Sequence, residues 1–336
     1  MLWELHDFNL GGKLMKKLLM IIGLVLTMGL FQGCGESSKE EVQKIDNEKP
    51  TIAYVINNLN DTFQTFILDA AQTYAEENDV NFIIENAKED VIKQQDLVNS
   101  LIERNVDAII VVPTDTSAMG PITDAAIDAK IPLCYVNRNP YAGKEDKMPE
   151  NVYYVGADEI TGGQMQMDYI GKEMNGKGNI AILMGILGNE GALKRTLGVK
   201  EVIKEKYPEV KVLAEETGLW QRDKGLAIAE NWITTYGDDI SAIISNNDEM
   251  ALGAIEALKS NGLLEKVKVI GLDATPDALN SVEKGELSAT VFQDAKGQGS
   301  TAAKNVIDVI QGKLVANKIT YIPFKLITKE NLNDFK

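Results

Sequence analysis

Short apolar runs alternate with helix-like patterns from Thr51 to the C-terminus. An apolar run that is too short for an amphipathic helix predicts a strand buried on both faces. Strands of this kind are predicted at 52–56, 81–85, 108–112 and 132–136, and in a second series at 152–155, 180–184, 210–214, 242–245, 267–272 and 288–292. One more strand is predicted near 319–327.

Apolar residues spaced three and four apart predict the helices that separate these strands. The predicted helices are 62–77, 91–104 and 118–129 in the first series, 162–174, 192–206, 223–236, 250–260 and 276–284 in the second, and 300–310 near the end. Strands that alternate with helices are typical of a parallel sheet covered on both faces. The chain is therefore predicted to be an α/β protein with two doubly wound parallel-sheet units in tandem.

An apolar segment near the N-terminus has the features of an export signal. Lys16 and Lys17 precede the apolar run 18–30, and residues 31–33 lead into Cys34. A positive region followed by an apolar region and a small residue is typical of a secretory signal. Because the run ends at a cysteine, it resembles a bacterial lipoprotein signal, in which that cysteine is lipidated. A transmembrane anchor is the alternative, but the run is shorter than the roughly 20 residues that a span needs.

The residues on either side of this signal are predicted to lie outside the folded part. Residues 1–14 precede the natural start of the signal at Met15, so 1–33 is predicted to be a doubtful leader plus signal peptide, with Met1 or Met15 as the true start. Residues 34–50 are charged and polar with little to bury. They are therefore predicted to be the lipidated cysteine and a flexible tether.

Composition excludes several classes of protein. The chain has 336 residues, is 44% hydrophobic and 25% charged, and carries a formal net charge of −16, which argues against nucleic acid as a partner. Its single histidine, His6, lies in the doubtful leader, so the mature chain lacks the commonest general base and metal ligand. Cys134 sits in an apolar run and is predicted to be a buried, inert thiol.

No sequence motif gives positive support for an enzyme or a cofactor site. The chain contains no phosphate-binding loop, no nucleophile elbow and no Cys/His cluster of metal spacing. Residues 297–302 fit a dinucleotide fingerprint, but the acid expected about 20 positions later is missing, so we interpret the match as coincidence. Paired carboxylates for glycoside hydrolysis stay open at this point. No enzymatic activity, cofactor or metal is predicted.

Polar and aromatic residues follow the predicted strands at their carboxyl ends, where ligands sit in open α/β sheets. They are Asn60, Asp61, Phe63, Asn137, Arg138, Arg195, Trp220, Asn246, Asn247, Asp248, Asp273, Gln293 and Asp294. Amides, carboxylates and guanidinium groups exchange hydrogen bonds with hydroxyls, and aromatic rings pack on the C–H faces of a sugar. This set therefore favours a neutral, hydroxyl-rich ligand.

Each of these residues also has a purely structural interpretation. Asn246, Asn247 and Asp248 could be turn and cap residues, with Asp248 placed to cap the helix that follows. Phe63 or Trp220 taken singly is more often a core residue, and any one arginine or carboxylate is more often solvated surface charge. Their shared location at strand ends favours the ligand site.

The chain from Thr51 onward resembles a periplasmic-type sugar-binding protein of bacterial ABC transporters, first of the galactose/glucose branch and next of the ribose branch. The segments that carry the resemblance are NDTF (60–63), YVN (135–137), YVGAD (154–158), SNNDEMALGAIEALK (245–259), GLDATPDAL (271–279) and ATVFQDA (289–295). The resemblance implies a type I periplasmic binding protein fold with two lobes, joined by three crossings near Gly156, Gln293 and Pro323. Its N-terminal lobe would hold 51–156 and 293–322, and its C-terminal lobe 157–292 and 323–336.

The resemblance also implies roles for individual residues. Hydrogen bonds to the sugar are implied for Asp61, Asn137, Arg195, Asn247 and Asp273. Phe63 and Trp220 would stack on its two faces, Gln293 would contact it near the hinge, and Arg138 and Asn189 complete the predicted ligand residues. Asn189 and Gly191 stand where the galactose/glucose branch has His and Asp, and Gln293 replaces Asn, which leaves the exact sugar open. The run 175–179 replaces the calcium loop of that branch and offers no carboxylate, so no metal is implied.

The function implied is that of an extracytoplasmic, lipid-anchored and monomeric protein that captures an aldohexose such as galactose or glucose for an ABC permease. A sugar-responsive sensor or chemoreceptor ligand-binding protein is the alternative. A repressor-type effector core shares the fold, but no helix-turn-helix precedes Thr51, and the chain carries an export signal and strong negative charge.

Overall fold

The structure is a computed structural model that describes residue 46 and residues 48–335. Cys34, the predicted leader, the signal peptide and most of the predicted tether lie outside the described residues. Among the residues that are described, no helix is both long enough and apolar enough to cross a bilayer.

Twelve strands form two separate six-stranded sheets in the described chain. The first sheet has the order β11-β5-β4-β3-β1-β2, with β1 Thr51–Ile56, β2 Asn81–Asn86, β3 Ala108–Val111, β4 Leu133–Asn137, β5 Val152–Gly156 and β11 Ile319–Tyr321. The second has the order β12-β10-β9-β8-β6-β7, with β6 Lys177–Met184, β7 Glu209–Thr217, β8 Ala242–Ser245, β9 Lys268–Asp273, β10 Ala289–Phe292 and β12 Lys325–Ile327. All neighbours pair in parallel except β10 and β12.

Nine α-helices connect the described strands. They are α1 Thr62–Glu77, α2 Val91–Glu103, α3 Gly120–Asp128, α4 Glu159–Glu173, α5 Glu190–Lys206, α6 Arg222–Tyr236, α7 Asp248–Ser260, α8 Pro276–Lys284 and α9 Ala295–Ile310. Each sheet has apolar clusters on both faces, because its central strands, such as β3, β4 and β8, are buried on both sides. The predicted α/β class with two parallel-sheet lobes is confirmed. We call the sheet that begins with β1, with its helices, the first lobe and the other sheet, with its helices, the second lobe.

The chain passes between the two sheets three times, after β5, after β10 and between β11 and β12. Helix α9 packs on α1 in the first lobe, where a Cβ on Gly299 would lie 2.1 Å from the Ile67 carbonyl oxygen. This close approach explains a glycine in the stretch that mimics a dinucleotide fingerprint. The stretch lies in the first turns of α9, and Asp294 caps that helix by accepting from the Gly297 N–H.

Two strand predictions are wrong in detail. The single strand predicted near 319–327 is two short strands in different sheets, since residues 322–324, with Pro323 at their centre, carry the chain from one sheet to the other. The strand 152–155 is not the first of a second series, because β5 pairs with β4 in the first sheet. Cys134, which the sequence places in a buried run, is fully buried, and burial raises the pKa of its thiol.

Candidate functional site

A polar pocket lies between the two lobes at the carboxyl ends of their strands. Its lining consists of Asp61, Phe63, Gln64, Asn137, Arg138, Glu159, Asn189, Gly191, Arg195, Trp220, Asn247, Asp273 and Gln293. All ten ligand residues predicted from the sequence are in this lining. Gln64, Glu159 and Gly191 are additional.

The lobes touch each other beside the pocket. The N–H and hydroxyl of Thr116 in the first lobe both donate to the Gly188 carbonyl in the second, each at 3.2 Å. The Asn189 side-chain amide donates to the Thr114 carbonyl at 2.9 Å. A Cβ on Gly188 would lie 2.9 Å from a carboxylate oxygen of Asp115, so the absence of a side chain there permits the approach. The structure is therefore a closed arrangement of the two lobes.

Arg195 is the best-connected cation of the pocket. Its Nε donates to Glu159 at 2.5 Å, its Nη1 to the Asn246 carbonyl at 2.6 Å and its Nη2 to Gln293 Oε1 at 3.1 Å. Both Arg195 and Glu159 are buried. Since buried charges require partners, this ion pair holds the guanidinium in one orientation at the pocket wall.

Two aspartates face the pocket from opposite lobes. Asp61 caps α1 by accepting from the Gln64 N–H and lies 3.7 Å from Arg138, and Asp273 lies 4.0 Å from Arg195 Nη1. Burial raises the pKa of the Asp61 carboxyl, and it raises that of the Asp273 carboxyl well above its usual range, although the arginines oppose both shifts. Hydrogen-bond donors from a ligand would relieve this desolvation.

Three pocket residues have backbone conformations that are rare outside glycine. Asn137 has φ 67°, Trp220 has φ 66° and Asp273 has φ 129°. Such conformations cost free energy and cluster at ligand sites, where the surrounding structure enforces them. The surrounding structure therefore holds these three side chains in place at the pocket.

The two aromatic residues differ in their surroundings. Phe63 belongs to the first lobe's apolar cluster and also lines the pocket. The Trp220 ring packs against Gly185, where a Cβ would lie only 2.0 Å from it, and the Arg195 guanidinium is 5.6 Å from its centroid. Its Nε1 donates to Asn189 Oδ1 at 2.9 Å. Asn189 therefore both holds Trp220 and bridges the lobes, which is a positioning role besides the predicted contact with ligand.

Amide side chains form a hydrogen-bonded network on the first-lobe side of the pocket. Gln64 Nε2 donates to Asn137 Oδ1 at 2.7 Å, and Asn137 Nδ2 donates to Gln298 Oε1 at 3.2 Å. Gln64 Oε1 and Gln293 Nε2 are buried and have no partner among the described residues. A buried acceptor and a buried donor without partners leave hydrogen-bonding capacity for a ligand or for water.

Asn247, and not Asp248, caps helix α7. Asn247 Oδ1 accepts from the Met250 N–H at 3.0 Å, and its Nδ2 donates to the Trp220 carbonyl. Asp248 is instead the buried first residue of the helix and accepts from the Thr290 hydroxyl and the Thr275 N–H. Burial raises the pKa of Asp248 to about 6. The prediction that Asp248 caps the helix is therefore wrong, because either residue type can cap and only the tertiary contacts decide.

The other strand-end residues from the sequence lie outside this lining. Asn246 is buried and accepts from the Gly185 N–H, and Asn60 lies in the wider mouth of the cleft. Conversely, sequence patterns missed Glu159 because the predicted helix 162–174 starts three residues too late. Within the described residues, no three Asp, Glu, His or Cys side chains converge as a metal site would require.

The sequence profile described as "Periplasmic binding protein domain" matches residues 52–314. A putative rhizopine-binding protein of Rhizobium meliloti is 41% identical over 280 residues, covering 82% of this chain and 89% of the relative. The ribose import binding protein of Bacillus subtilis is 31% identical, covering 94% of this chain and all of the relative.

A solved structure of a solute-binding protein is similar to this chain in three dimensions as well. The ABC transporter solute binding protein of Bacillus halodurans, with bound myo-inositol, has a TM-score of 0.80 and 39% identity to this chain, covering 87% of this chain and 99% of that one. The profile match spans both lobes, and these relatives are solute-binding proteins. The chain therefore belongs to the periplasmic binding protein family and is a solute-binding protein, not an enzyme.

Proposed function

We propose that this protein is the extracytoplasmic binding component of an ABC importer, and that it captures a cyclic polyol of the inositol class between its lobes. The observation that carries the proposal is the lining of the closed pocket. Its carboxyl groups accept hydrogen bonds, its guanidinium groups only donate, and its amides do both. A hydroxyl group also does both, so a ring with a hydroxyl on each carbon could satisfy every part of the lining.

The similar proteins support the inositol class over the aldohexose predicted from the sequence motifs. The structure at 39% identity holds myo-inositol, and the relative at 41% identity is named for rhizopine. Galactose or glucose is our second candidate, since a pyranose presents nearly the same hydroxyls and the same apolar faces to Phe63 and Trp220. A role in sensing, through a chemoreceptor, stays an alternative use of the same captured ligand.

A thermal-shift panel tests this proposal. It consists of myo-inositol, xylitol, ribose, allose, galactose and glucose, each used at high excess. A ligand at about 100 times its Kd stabilises the folded protein by about 2.7 kcal/mol, so the cognate compound raises the Tm measurably. We expect the largest shift with myo-inositol. A larger shift with an aldohexose would support the second candidate, and no shift with any member would contradict polyol binding.

We further propose that Cys34 anchors the mature protein to the membrane through lipid. Replacement Cys34→Ala is expected to abolish incorporation of radiolabelled fatty acid, because no other residue of the signal could be acylated in this way. Cys134→Ala is the matched control and is expected to keep the label, since Cys134 is buried in the fold. Labelling of the Cys34→Ala protein would show that the anchor lies elsewhere.

Binding is expected to need no divalent metal. The run 175–179 contains no carboxylate to offer a hard cation. Titration calorimetry with the best ligand of the panel should give the same Kd before and after addition of a chelator. A loss of affinity that calcium restores would prove this expectation wrong.

A further inference from the structure

A large cavity lies between the lobes at the outer end of the ligand pocket. We call it the mouth cavity, and its lining includes Asn58, Asn60 and Glu89 of the first lobe and Ile186, Gln221 and Glu249 of the second. Its volume is about 490 Å³, which lies in the range of roughly 300–1,000 Å³ that is typical of small-molecule sites. Asn60 and Gln221 are exposed, so the cavity opens to solvent. A single ring held in the ligand pocket leaves this space unused.

The mouth cavity adjoins the ligand pocket directly. The residues that line both spaces are Asp61, Phe63, Trp220, Asn247 and Asp273. Arg195 and Gln293 line the ligand pocket and not the mouth cavity, so they mark the inner end of the pocket. A ring clamped between Phe63 and Trp220 would therefore turn one edge inward to Arg195 and the opposite edge outward to the mouth cavity.

Carboxylates from both lobes are held in place around the mouth cavity. Glu89 of the first lobe accepts from Asn57 Nδ2 at 2.6 Å, and its other oxygen lies 3.9 Å from Arg138 Nη1. Glu249 of the second lobe accepts from Arg222 Nε at 2.9 Å and from Arg222 Nη2 at 3.0 Å. Because these contacts fix the carboxylates, a hydroxylated group would meet acceptors that are already positioned.

The charge of this lining selects against anionic groups. Five acidic side chains line the mouth cavity, and Arg222 is the only cationic side chain among the described residues that line it. That guanidinium is already paired, since its Nη2 donates to Asp277 at 2.8 Å as well as to Glu249. A phosphate or carboxylate group would therefore meet like charges and no free cation.

We propose that the mouth cavity is a second subsite, which receives an uncharged, hydroxylated substituent carried on the outer edge of the captured ring. This inference rests on the proposed function, because the ring itself must be held in the ligand pocket. It extends the ligand class from free polyols to polyols that carry one sugar unit on a single oxygen. A substituent on the inner edge would point at Arg195 and would be excluded from the closed pocket.

Titration calorimetry with a matched set of ligands tests the proposal. The set consists of myo-inositol and its derivatives with one hexosyl unit on a single ring oxygen, one regioisomer for each oxygen. If another member of the panel gives the largest thermal shift, its derivatives replace these. We expect at least one regioisomer to bind with a Kd within about tenfold of the free ring, and at least one other to bind more than about 100-fold more weakly. A phosphate group in place of the tolerated hexosyl unit should weaken binding by at least about tenfold.

A substitution at the mouth locates the bound substituent. Gln221→Trp adds bulk to the mouth cavity, and Gln221 does not line the ligand pocket or cap α6 through its side chain. The variant should raise the Kd of the tolerated regioisomer by at least about tenfold and leave that of the free ring unchanged. Asn231→Trp, at an exposed position farther along α6, is the matched control and should change neither Kd.

The outcomes separate this inference from the proposed function. If the free ring binds and no hexosyl derivative comes within the tenfold range, the inference is overturned and the cavity holds only solvent. An equal effect of Gln221→Trp on the free ring and on the tolerated regioisomer, or no effect on either, would overturn it too. Undiminished binding of the phosphate derivative would contradict an uncharged substituent. Absence of binding by every polyol of the panel would instead contradict the proposed function, and the inference with it.

Discussion

Replacement of Arg195 with alanine is expected to destabilise the protein by about 3–5 kcal/mol, even without ligand. The change leaves the Glu159 carboxylate buried without its charge partner and removes the donors that hold Asn246 and Gln293. Urea unfolding followed by circular dichroism measures the effect. The midpoint should shift to lower urea with an unchanged slope, because the denatured state is not altered.

A paired substitution separates stability from ligand recognition. Arg195→Met combined with Glu159→Leu removes both charges and fills similar volume, so most of the lost stability should return. Polyol binding should be abolished in this double variant as in Arg195→Ala, since the guanidinium that faces the ligand is missing from both. Unfolding of Arg195→Ala at the same urea concentration as the parent would show that the Arg195–Glu159 pair contributes little to folding.

Replacement of Trp220 with alanine is expected to weaken polyol binding by roughly 1–3 kcal/mol, or about 5- to 150-fold in Kd. The indole offers an apolar face to the ligand from the second lobe, and Phe63 offers one from the first. A single ring can contact both only when the lobes approach, so these contacts favour closure. Titration calorimetry with the best ligand of the panel measures the loss.

Two controls accompany this experiment. Trp220→Phe keeps an aromatic face but loses the hydrogen bond to Asn189, so its loss of affinity should be smaller. Trp232→Phe alters a buried tryptophan of the second lobe and should leave the Kd unchanged. Ligand should also change tryptophan fluorescence in the parent. If Trp220→Ala binds as tightly as the parent, Trp220 is only a packing residue.

The helices and strands were predictable from the sequence because each obeys a local rule. Helix α1 begins at Thr62 after the capping Asp61, so its cap residue and the spacing of its apolar residues locate it. Strand β8, Ala242–Ser245, is located by its short apolar run. The assignment of strands to sheets is not local. In the sequence, the short strands β11 and β12 form one continuous apolar pattern. Only their pairing in different sheets distinguishes them.

The candidate site was also predictable in part from the sequence. Residues that directly follow strands, such as Asn137 and Asp273, stand out because polar groups end an apolar run. Glu159 and Gln64 do not stand out, since each occupies the first turn of a helix, where acids and amides are common on the surface. Their roles depend on Arg195 and Asn137, which are 36 and 73 positions away in the chain. The spacing of residues along the sequence does not indicate such pairs.

A crystal structure of the protein with the best ligand of the panel tests the central claim most directly. We predict one polyol ring between Phe63 and Trp220, with its hydroxyls bonded to Asp61, Arg195 and Asp273 and the lobes in contact at Thr116 and Gly188. A ligand bound outside this pocket, or a ring held by one lobe while the other stays apart, would contradict capture between the lobes.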